Sequence, residues 1–290
     1  MTGNFVWSCD PVMVNIFGFG VKYYVVCMCI AASIILIVFS NYFFDRGVSD
    51  NAMFMYSAIC VMGSTFSARL FEGLFYNYAF FSHDPIGFFL PIKITSHGIQ
   101  HTPFAGISSH GGFLFLLMAL YLVCRREKIK YLEFLDDNIW AAYIAGGFIR
   151  IGNFFNSEIF GIETTSSLGI IFSRIDNVPR YPVQLFEATE YFLFGIFHFY
   201  MIKKLQIKRY SWYKDGYMSC LSVFCILFVR SFLENIKYTT KAQLKYNISL
   251  FGVDIYQLNT GQILNLAVLT CIFIVFVIIA MQKNDKTNKI

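Results

Sequence analysis

Seven stretches of the chain, near 21–41, 52–72, 104–124, 138–157, 184–202, 216–236 and 260–281, are apolar over roughly the 20 residues that a helix needs to cross a hydrocarbon core of about 30 Å. This repetition constrains the fold more than any other feature, because seven such helices leave little chain with which to present a polar surface to water. Composition agrees: 57% of the residues are hydrophobic and 14% charged, against about 25% charged in an ordinary soluble domain. The expected fold class is all-α, a polytopic membrane helix bundle of about seven transmembrane helices forming a single integral membrane domain over 1–290. Breaker signals separate the stretches: Asp45-Arg46-Gly47, Asp84-Pro85, Thr102-Pro103, Pro179 with Pro182, and Lys214-Asp215-Gly216. No internal repeat or low-complexity tract interrupts them.

Lysine and arginine set the orientation, because the cytoplasmic side of a membrane protein holds the excess. With the N-terminus outside, 13 of the 23 basic residues fall in inside segments and 7 in outside ones, and Arg69, Arg150 and Arg230 lie within spans. The expectation is therefore N-terminus outside and C-terminus cytoplasmic, with long outer loops at about 73–103 and 158–183 and a cytoplasmic tail at about 282–290. A net charge of +5 is accounted for by these topology signals and calls for no nucleic acid. Aromatic residues, 19% of the chain, suit lipid contact and anchoring at two interfaces. No basic segment, apolar core and small-residue cleavage site follow one another at the N-terminus, so the first apolar helix is expected to persist in the mature protein. The eight cysteines lie mostly in apolar runs without CxxC spacing and read as small buried hydrophobes, with no metal site.

Charged groups inside a bilayer cost a few kcal/mol each even on lenient scales of about 2.5–3.5 kcal/mol, so they face a cavity and carry function. Here Arg69 ends the second stretch and His110 sits in the third. Arg150, Asn153, Asn156 and Glu158 crowd the end of the fourth, Gln184, Glu187 and Glu190 open the fifth, and Arg230 and Glu234 close the sixth. The N-out orientation puts nearly all of them in the outer half of the membrane, which predicts one shared polar cavity suited to a phosphate head group. Helical spacing sets Arg150 with Asn153, Asn153 with Asn156, Gln184 with Glu187, and Arg230 with Glu234 on common faces. Blander readings stay open: Arg230–Glu234 as a structural intrahelical pair, the asparagines as interhelical hydrogen-bond glue, and His110 as a satisfied bundle histidine. Gly146, Gly147 and Gly152 permit close approach of a neighbour or ligand, and Ser108-Ser109-His110-Gly111-Gly112 leaves room around the imidazole. His83, His97, His101 and His198 read as loop or interface residues.

Several segments then match a known pattern. The run 149–161, Ile-Arg-Ile-Gly-Asn-Phe-Phe-Asn-Ser-Glu-Ile-Phe-Gly, resembles the signature G-R-x-G-N-F-x-N-x-E-x-x-G with only its first glycine replaced. Supporting matches follow in order: 106–112 (Gly-Ile-Ser-Ser-His-Gly-Gly), 179–187 (Pro-Arg-Tyr-Pro-Val-Gln-Leu-Phe-Glu) for the usual R-H-P-S-Q-L-Y-E, Arg230 with Glu234, and 261–264 (Gly-Gln-Ile-Leu). Ala68-Arg69-Leu70 with Phe75-Tyr76-Asn77, and Tyr24 near the first span, complete a likeness that runs nearly end to end. On these residues the chain resembles the prolipoprotein diacylglyceryl transferase family. It departs from that family at Tyr181 for histidine, Val183 for serine, Phe71 for glycine and Ile162 for arginine.

The resemblance implies a transferase of the bacterial inner (cytoplasmic) membrane that needs no cofactor. Its partners would be phosphatidylglycerol, prolipoprotein signal peptides bearing a lipobox cysteine, and the surrounding membrane lipids. It implies catalytic roles for His110, Arg150, Arg230, Tyr24 and Glu158. Substrate-binding roles fall to Arg150, Asn153, Asn156, Gly161, Glu234, Arg69, Gln184 and Glu187. The expected geometry is convergence of Arg150 and Arg230 with the His110 imidazole around one lipid phosphate. A diverged, non-catalytic lipid-binding paralogue and a small-solute transporter are the competing readings; neither an inverted repeat nor a broken helix pair favours the transporter.

Overall fold

A computed structural model describes residues 4–89, 92–95, 98–101, 108–238, 245–250 and 253–281. The expected tail at 282–290, His97 and the first residues of the third apolar stretch lie outside the described residues. In chain order the described elements are β1 (Phe5–Trp7), β2 (Val12–Ile16), β3 (Phe19–Lys22), α1 (Tyr23–Phe44), α2 (Asp50–Phe75), α3 (Tyr78–His83), α4 (Pro85–Phe89), β4 (Ile92–Thr95), β5 (Gly98–His101), α5 (Ser109–Arg126) and α6 (Tyr131–Phe155). They continue with β6 (Ile170–Phe172), β7 (Pro179–Arg180), α7 (Val183–Phe199), α8 (Tyr217–Leu233), β8 (Lys245–Leu250), β9 (Val253–Asn259) and α9 (Thr260–Met281).

Among the described residues a helix of at least 17 residues falls on each of the seven apolar stretches. Four are long and apolar enough to cross a membrane: α1, α2, α8 with the 3-10 turn that extends it to Ile236, and α9. The protein is thus a helical, multi-pass membrane protein. Helices α6 and α7 carry the charges that lower their hydropathy, and those charges are turned into the protein: Asp136, Arg150, Glu187 and Glu190 are all buried.

The chain divides into two compact units. The first comprises Met1–Tyr42, Leu132–Thr239 and Asn265–Ile290, and the second Phe43–Tyr131 and Thr240–Leu264. In the first unit α6, α7 and α8 meet around Ile139, Tyr143 and Ile226, with Tyr191, Phe194 and Val223 packed against them. Lipid tails are as apolar as leucine, so close packing rather than exclusion from water holds such helices together. Gly147 shows what that requires, because a Cβ there would lie 2.5 Å from the Phe192 ring. Phe134 of α6, fully buried, takes the edges of Phe39 and Tyr42 of α1, each with ring centroids 5.1 Å away.

A carboxylate from α6 starts α8. Fully buried Asp136 accepts hydrogen bonds from Tyr213 Oη (2.6 Å), the Gly216 amide (2.6 Å), and the Ser219 amide (2.8 Å) and hydroxyl (2.6 Å). The first amides of a helix have no partner within it and carry partial positive charge, so an anion here satisfies both needs. Beside it His198 is fully buried, with Nε2 on the Asp136 carbonyl (2.8 Å) and Nδ1 on Ser222 Oγ (3.0 Å). This corrects the sequence reading of His198 as a loop or interface residue. The single-letter pattern hid it because its partners come from α6 and α8, 62 and 24 residues away.

The segment 158–183, expected as an outer loop, contributes to a small sheet. Strand β6 pairs in parallel with β1 (Phe5↔Ile170, Trp7↔Phe172) and antiparallel with β7 (Ile170↔Arg180). Trp7 packs on Phe154 with ring centroids 4.4 Å apart and the planes tilted, which seats the sheet against the end of α6. In the second unit α2 runs along α5. Ser49 caps α2 by accepting from the Ala52 amide (3.4 Å), and β4–β5 and β8–β9 form antiparallel hairpins.

Candidate functional site

The signature run ends α6 in a strained turn. The Ser157 amide donates to the Phe154 carbonyl (3.0 Å) and the Glu158 amide to that of Asn153 (3.1 Å), with Ser157 at φ +54°. This is the left-handed helix stop that glycine usually supplies. Ile159 follows at φ +57°, a costly conformation for a β-branched residue. Such outliers cost about 1–3 kcal/mol each and persist where surrounding contacts over-determine them. Here the turn folds Glu158 back over the helix end. Its Oε1 accepts from Asn153 Nδ2 (2.8 Å) and Asn156 Nδ2 (3.3 Å), while Asn153 Oδ1 accepts from Arg150 Nη1 (3.3 Å). Gln184, the second residue of α7, donates to the Glu158 carbonyl (2.6 Å) and locks the turn to the next helix.

From α7, fully buried Glu187 reaches Arg150, with Oε2 3.0 Å from Nε. Its other oxygen, Oε1, accepts from Lys237 Nζ at 3.0 Å, and Lys237 also donates to Glu234 Oε2 at 3.0 Å. The i, i+4 face expected for Arg230 and Glu234 does not produce their pairing. Helix α8 tightens to a 3-10 turn over Glu234–Ile236, which brings residue i+3, Lys237, over Glu234. Arg230 instead donates Nη1 to Tyr191 Oη (2.6 Å), and its buried Nε has no hydrogen-bond partner. The charges of Arg150, Lys237 and Arg230 all act on Glu187.

Arg150, Asn153, Asn156, Glu158, Gln184, Glu187, Arg230 and Glu234 therefore belong to one connected polar cluster. Tyr24 joins it from α1: a Cβ on Gly152 would lie 2.9 Å from the Tyr24 ring, and Tyr24 is within electrostatic range of Glu158 and Arg150. Lys237 and Tyr191 were missed by sequence reasoning. A lysine in a loop reads as a topology signal, and a tyrosine in an apolar helix reads as packing. The one available sign was the i, i+3 spacing of Glu234 and Lys237.

Gly161 lies where three segments cross. Its amide donates to the Tyr181 carbonyl (2.8 Å), the Ile162 amide to that of Ile236 (2.8 Å), and the Tyr238 amide to that of Phe160 (3.0 Å). A Cβ on Gly161 would lie 2.7 Å from the Ile236 oxygen, Tyr181 Cβ and the Tyr181 oxygen. The residue thus fixes the segment that carries Lys237 beside the signature turn. Arg180 braces the same crossing. Buried, it grips Asp176 Oδ2 through Nη2 (2.7 Å) and Nε (3.1 Å), reaches Glu163 (3.3 Å), and lies near the Phe160 and Tyr238 rings. That hydrogen bonding holds the Asp176 carboxyl below its ordinary value.

The departures from the family pattern have local explanations. Tyr181 meets Gly161 and Ile162 through its backbone, and its ring lies beside that of Phe186. Val183 is fully buried at the start of α7, and Ile162 is exposed. Phe71 covers Gly111, with its Cβ and Cγ 2.6 Å from where a Gly111 Cβ would be.

His110 and Arg69 belong to the second unit. Gly111 and Gly112 let α5 meet α2. A Cβ on Gly111 would lie 2.5 Å from the Ser67 carbonyl oxygen, and Ser67 Oγ donates to the Gly111 carbonyl (3.0 Å). His110 is half-buried on the first turn of α5. Arg69 is buried and directs Nε (2.8 Å) and Nη2 (2.6 Å) to the Phe88 carbonyl while lying over the Phe88 ring. It braces α4.

The model of the prolipoprotein diacylglyceryl transferase family matches residues 11–280. Among curated proteins, the phosphatidylglycerol–prolipoprotein diacylglyceryl transferase of Bacteroides fragilis is 31% identical over 80% of this chain and 82% of its own length. That of Chloroherpeton thalassium is 30% identical over 97% of both chains. That of Chlorobaculum tepidum is 30% identical over 78% of this chain and 77% of its own.

Proposed function

The chain belongs to the prolipoprotein diacylglyceryl transferase family, and we propose that it transfers the diacylglyceryl group of phosphatidylglycerol to the lipobox cysteine of prolipoproteins. In this reading residues 1–290 form one integral membrane domain of seven spans in the bacterial inner membrane, with the N-terminus outside and the C-terminus cytoplasmic. The observation that carries the chemistry is the placement of two buried arginines, Arg150 and Arg230, in one cluster where α6, α7 and α8 meet. Buried cations of this kind need an anion, and arginine's fork matches a phosphate better than lysine's point charge.

The reaction forms a carbon–sulfur bond and breaks a carbon–oxygen bond. The cysteine sulfur attacks the glyceryl carbon, the bonding electrons leave with the phosphate oxygen, and glycerol phosphate departs carrying the charge that the thiolate brought. A thiol with a pKa of about 8.5 is mostly protonated at neutral pH, so a base near the sulfur raises the reactive fraction. His110 is assigned that role. Arg150 and Arg230 hold the phosphate as its charge grows. Asn153, Asn156, Gln184, Glu158 and Glu187 keep the Arg150 guanidinium aimed, Glu234 holds Lys237 beside Glu187, Tyr24 bonds the lipid head or the peptide, and Gly161 fixes the crossing behind them. Arg69 contributes to substrate binding from the second helix.

The test is direct. Purified protein incubated with phosphatidylglycerol and a lipobox peptide is expected to yield a thioether-linked diacylglyceryl mass shift on the cysteine. Loss of one such donor typically costs about 2.7–4 kcal/mol in the transition state, so Arg150→Ala and Arg230→Ala are expected to insert normally and lose about a hundredfold or more in rate. An unmodified peptide with the unsubstituted protein would refute the assignment.

A further inference from the structure

Arg150 and Arg230 are held in different ways. Arg150 has a carboxylate directly on it, Glu187 at 3.0 Å, while the described hydrogen-bond partner of Arg230 is the neutral phenol of Tyr191 at 2.6 Å. Arg230 is 8% exposed, and its Nε–H is buried without a hydrogen-bond partner. A buried guanidinium held by a neutral oxygen keeps its charge for an incoming anion, whereas one held by a carboxylate has much of it answered already. Glu190, the residue before Tyr191 on α7 and also buried, leaves its Oε1 without a hydrogen bond; Glu187, Glu190 and Glu234 lie within electrostatic range of Arg230, but none makes an ion pair with it among the described residues. The Tyr191 ring is itself fixed, lying against Gly146 of α6 and packed onto the core formed by Ile139, Tyr143 and Ile226. Its hydroxyl is therefore a rigid stop for a side chain with several rotatable bonds.

We infer that Tyr191 is a positioning residue for the transfer reaction: its hydroxyl aims the Arg230 guanidinium at the departing phosphate without neutralising it. This rests on the reaction proposed above. The phenol touches neither substrate nor reacting atom and acts through Arg230. Because the contact orients a donor for charge that grows during the reaction, losing it lowers the rate of the bound complex more than it weakens lipid binding.

Tyr191→Phe tests this, since it keeps the ring against Gly146 and removes one oxygen. With purified protein in mixed micelles of phosphatidylglycerol and detergent and a lipobox peptide as acceptor, kcat is expected to fall about ten- to a hundredfold, as befits a hydrogen bond to a charged group. KM for phosphatidylglycerol is expected to change less than about threefold, and the thermal midpoint in detergent to stay near that of the unsubstituted protein. An unchanged kcat would overturn the inference. So would a raised KM at constant kcat, or a lowered thermal midpoint that accounts for the lost rate through loss of folded protein. Absence of transfer by the unsubstituted protein would overturn the reaction itself, and this inference with it.

Discussion

Replacing Glu187 by glutamine removes one negative charge from the centre of the cluster while keeping its shape. In the native protein the carboxylate lies between Arg150 Nε and Lys237 Nζ, 3.0 Å from each, and is fully buried. A neutral amide leaves both cations facing each other across it, and breaking a buried pair from one side costs about 3–5 kcal/mol. Against a total stability of about 5–15 kcal/mol for a folded domain, that is a large loss. Thermal unfolding of the detergent-solubilised protein should show a clear drop in midpoint for Glu187→Gln. The second arm removes one of the stranded cations: Glu187→Gln with Lys237→Met should be less destabilised than the two single effects added together. Residues in direct contact typically show coupling of about 0.5–3 kcal/mol in such a cycle. Phosphatidylglycerol should restore the midpoint of Glu187→Gln more than that of the unsubstituted protein, because a phosphate supplies the missing charge. Additive effects in the cycle and no differential response to lipid would refute the reasoning, since they would mean that Glu187 does not balance these cations.

Three further outcomes follow from the geometry. Gly161→Ala must displace the Ile236 carbonyl or Tyr181, both 2.7 Å from the new Cβ; overpacking of this kind costs about 1–3 kcal/mol, and transfer assays should show a larger loss of rate than Ile162→Ala, whose side chain is exposed. Arg180 lowers the Asp176 pKa in the folded protein, so its stabilisation is fully present above the ordinary carboxylate value of about 3.9 and is lost as pH falls through the lowered folded value. Unfolding midpoints measured from pH 6 downward should therefore decline in this acid range for the native chain and decline less for Asp176→Asn, which starts lower. His110→Gln should retain the fold and lose rate most at neutral pH, recovering in part as pH rises toward the thiol pKa of about 8.5; a variant with the native rate at pH 7 would remove the base from the mechanism.

The sequence made the helices legible because a membrane span declares itself through length and apolarity alone. It made the members of the polar cluster legible for a related reason, since Arg150, Glu187 and Arg230 stand out against apolar neighbours. Their partnerships were harder to read. Spacing rules describe one continuous helix, and the break of α8 into a 3-10 turn at Glu234 turns Glu234 to Lys237 and leaves Arg230 to Tyr191. The contact between Arg150 and Glu187 joins two helices, which no intrahelical period can reveal. The small sheet was invisible for another reason: β6 and β7 are 3 and 2 residues long, too short for an alternating pattern, and exist because β1 supplies a partner more than 160 residues away. Glycine was read correctly as a mark of close approach at Gly147 and Gly152, and at Gly111 the sequence cannot show that Ser67 and Phe71 occupy the space beside it.

The proposed mechanism requires Arg150 and Arg230 to receive one phosphate. A structure of the protein reconstituted with phosphatidylglycerol would measure this most directly, through the distances from the lipid phosphorus to the two guanidinium carbons. Both distances are expected to lie within about 5 Å, as contact hydrogen bonds require, with the Tyr191 hydroxyl still on Arg230. A phosphate bound away from either arginine, with Glu187 and Lys237 undisturbed, would contradict it.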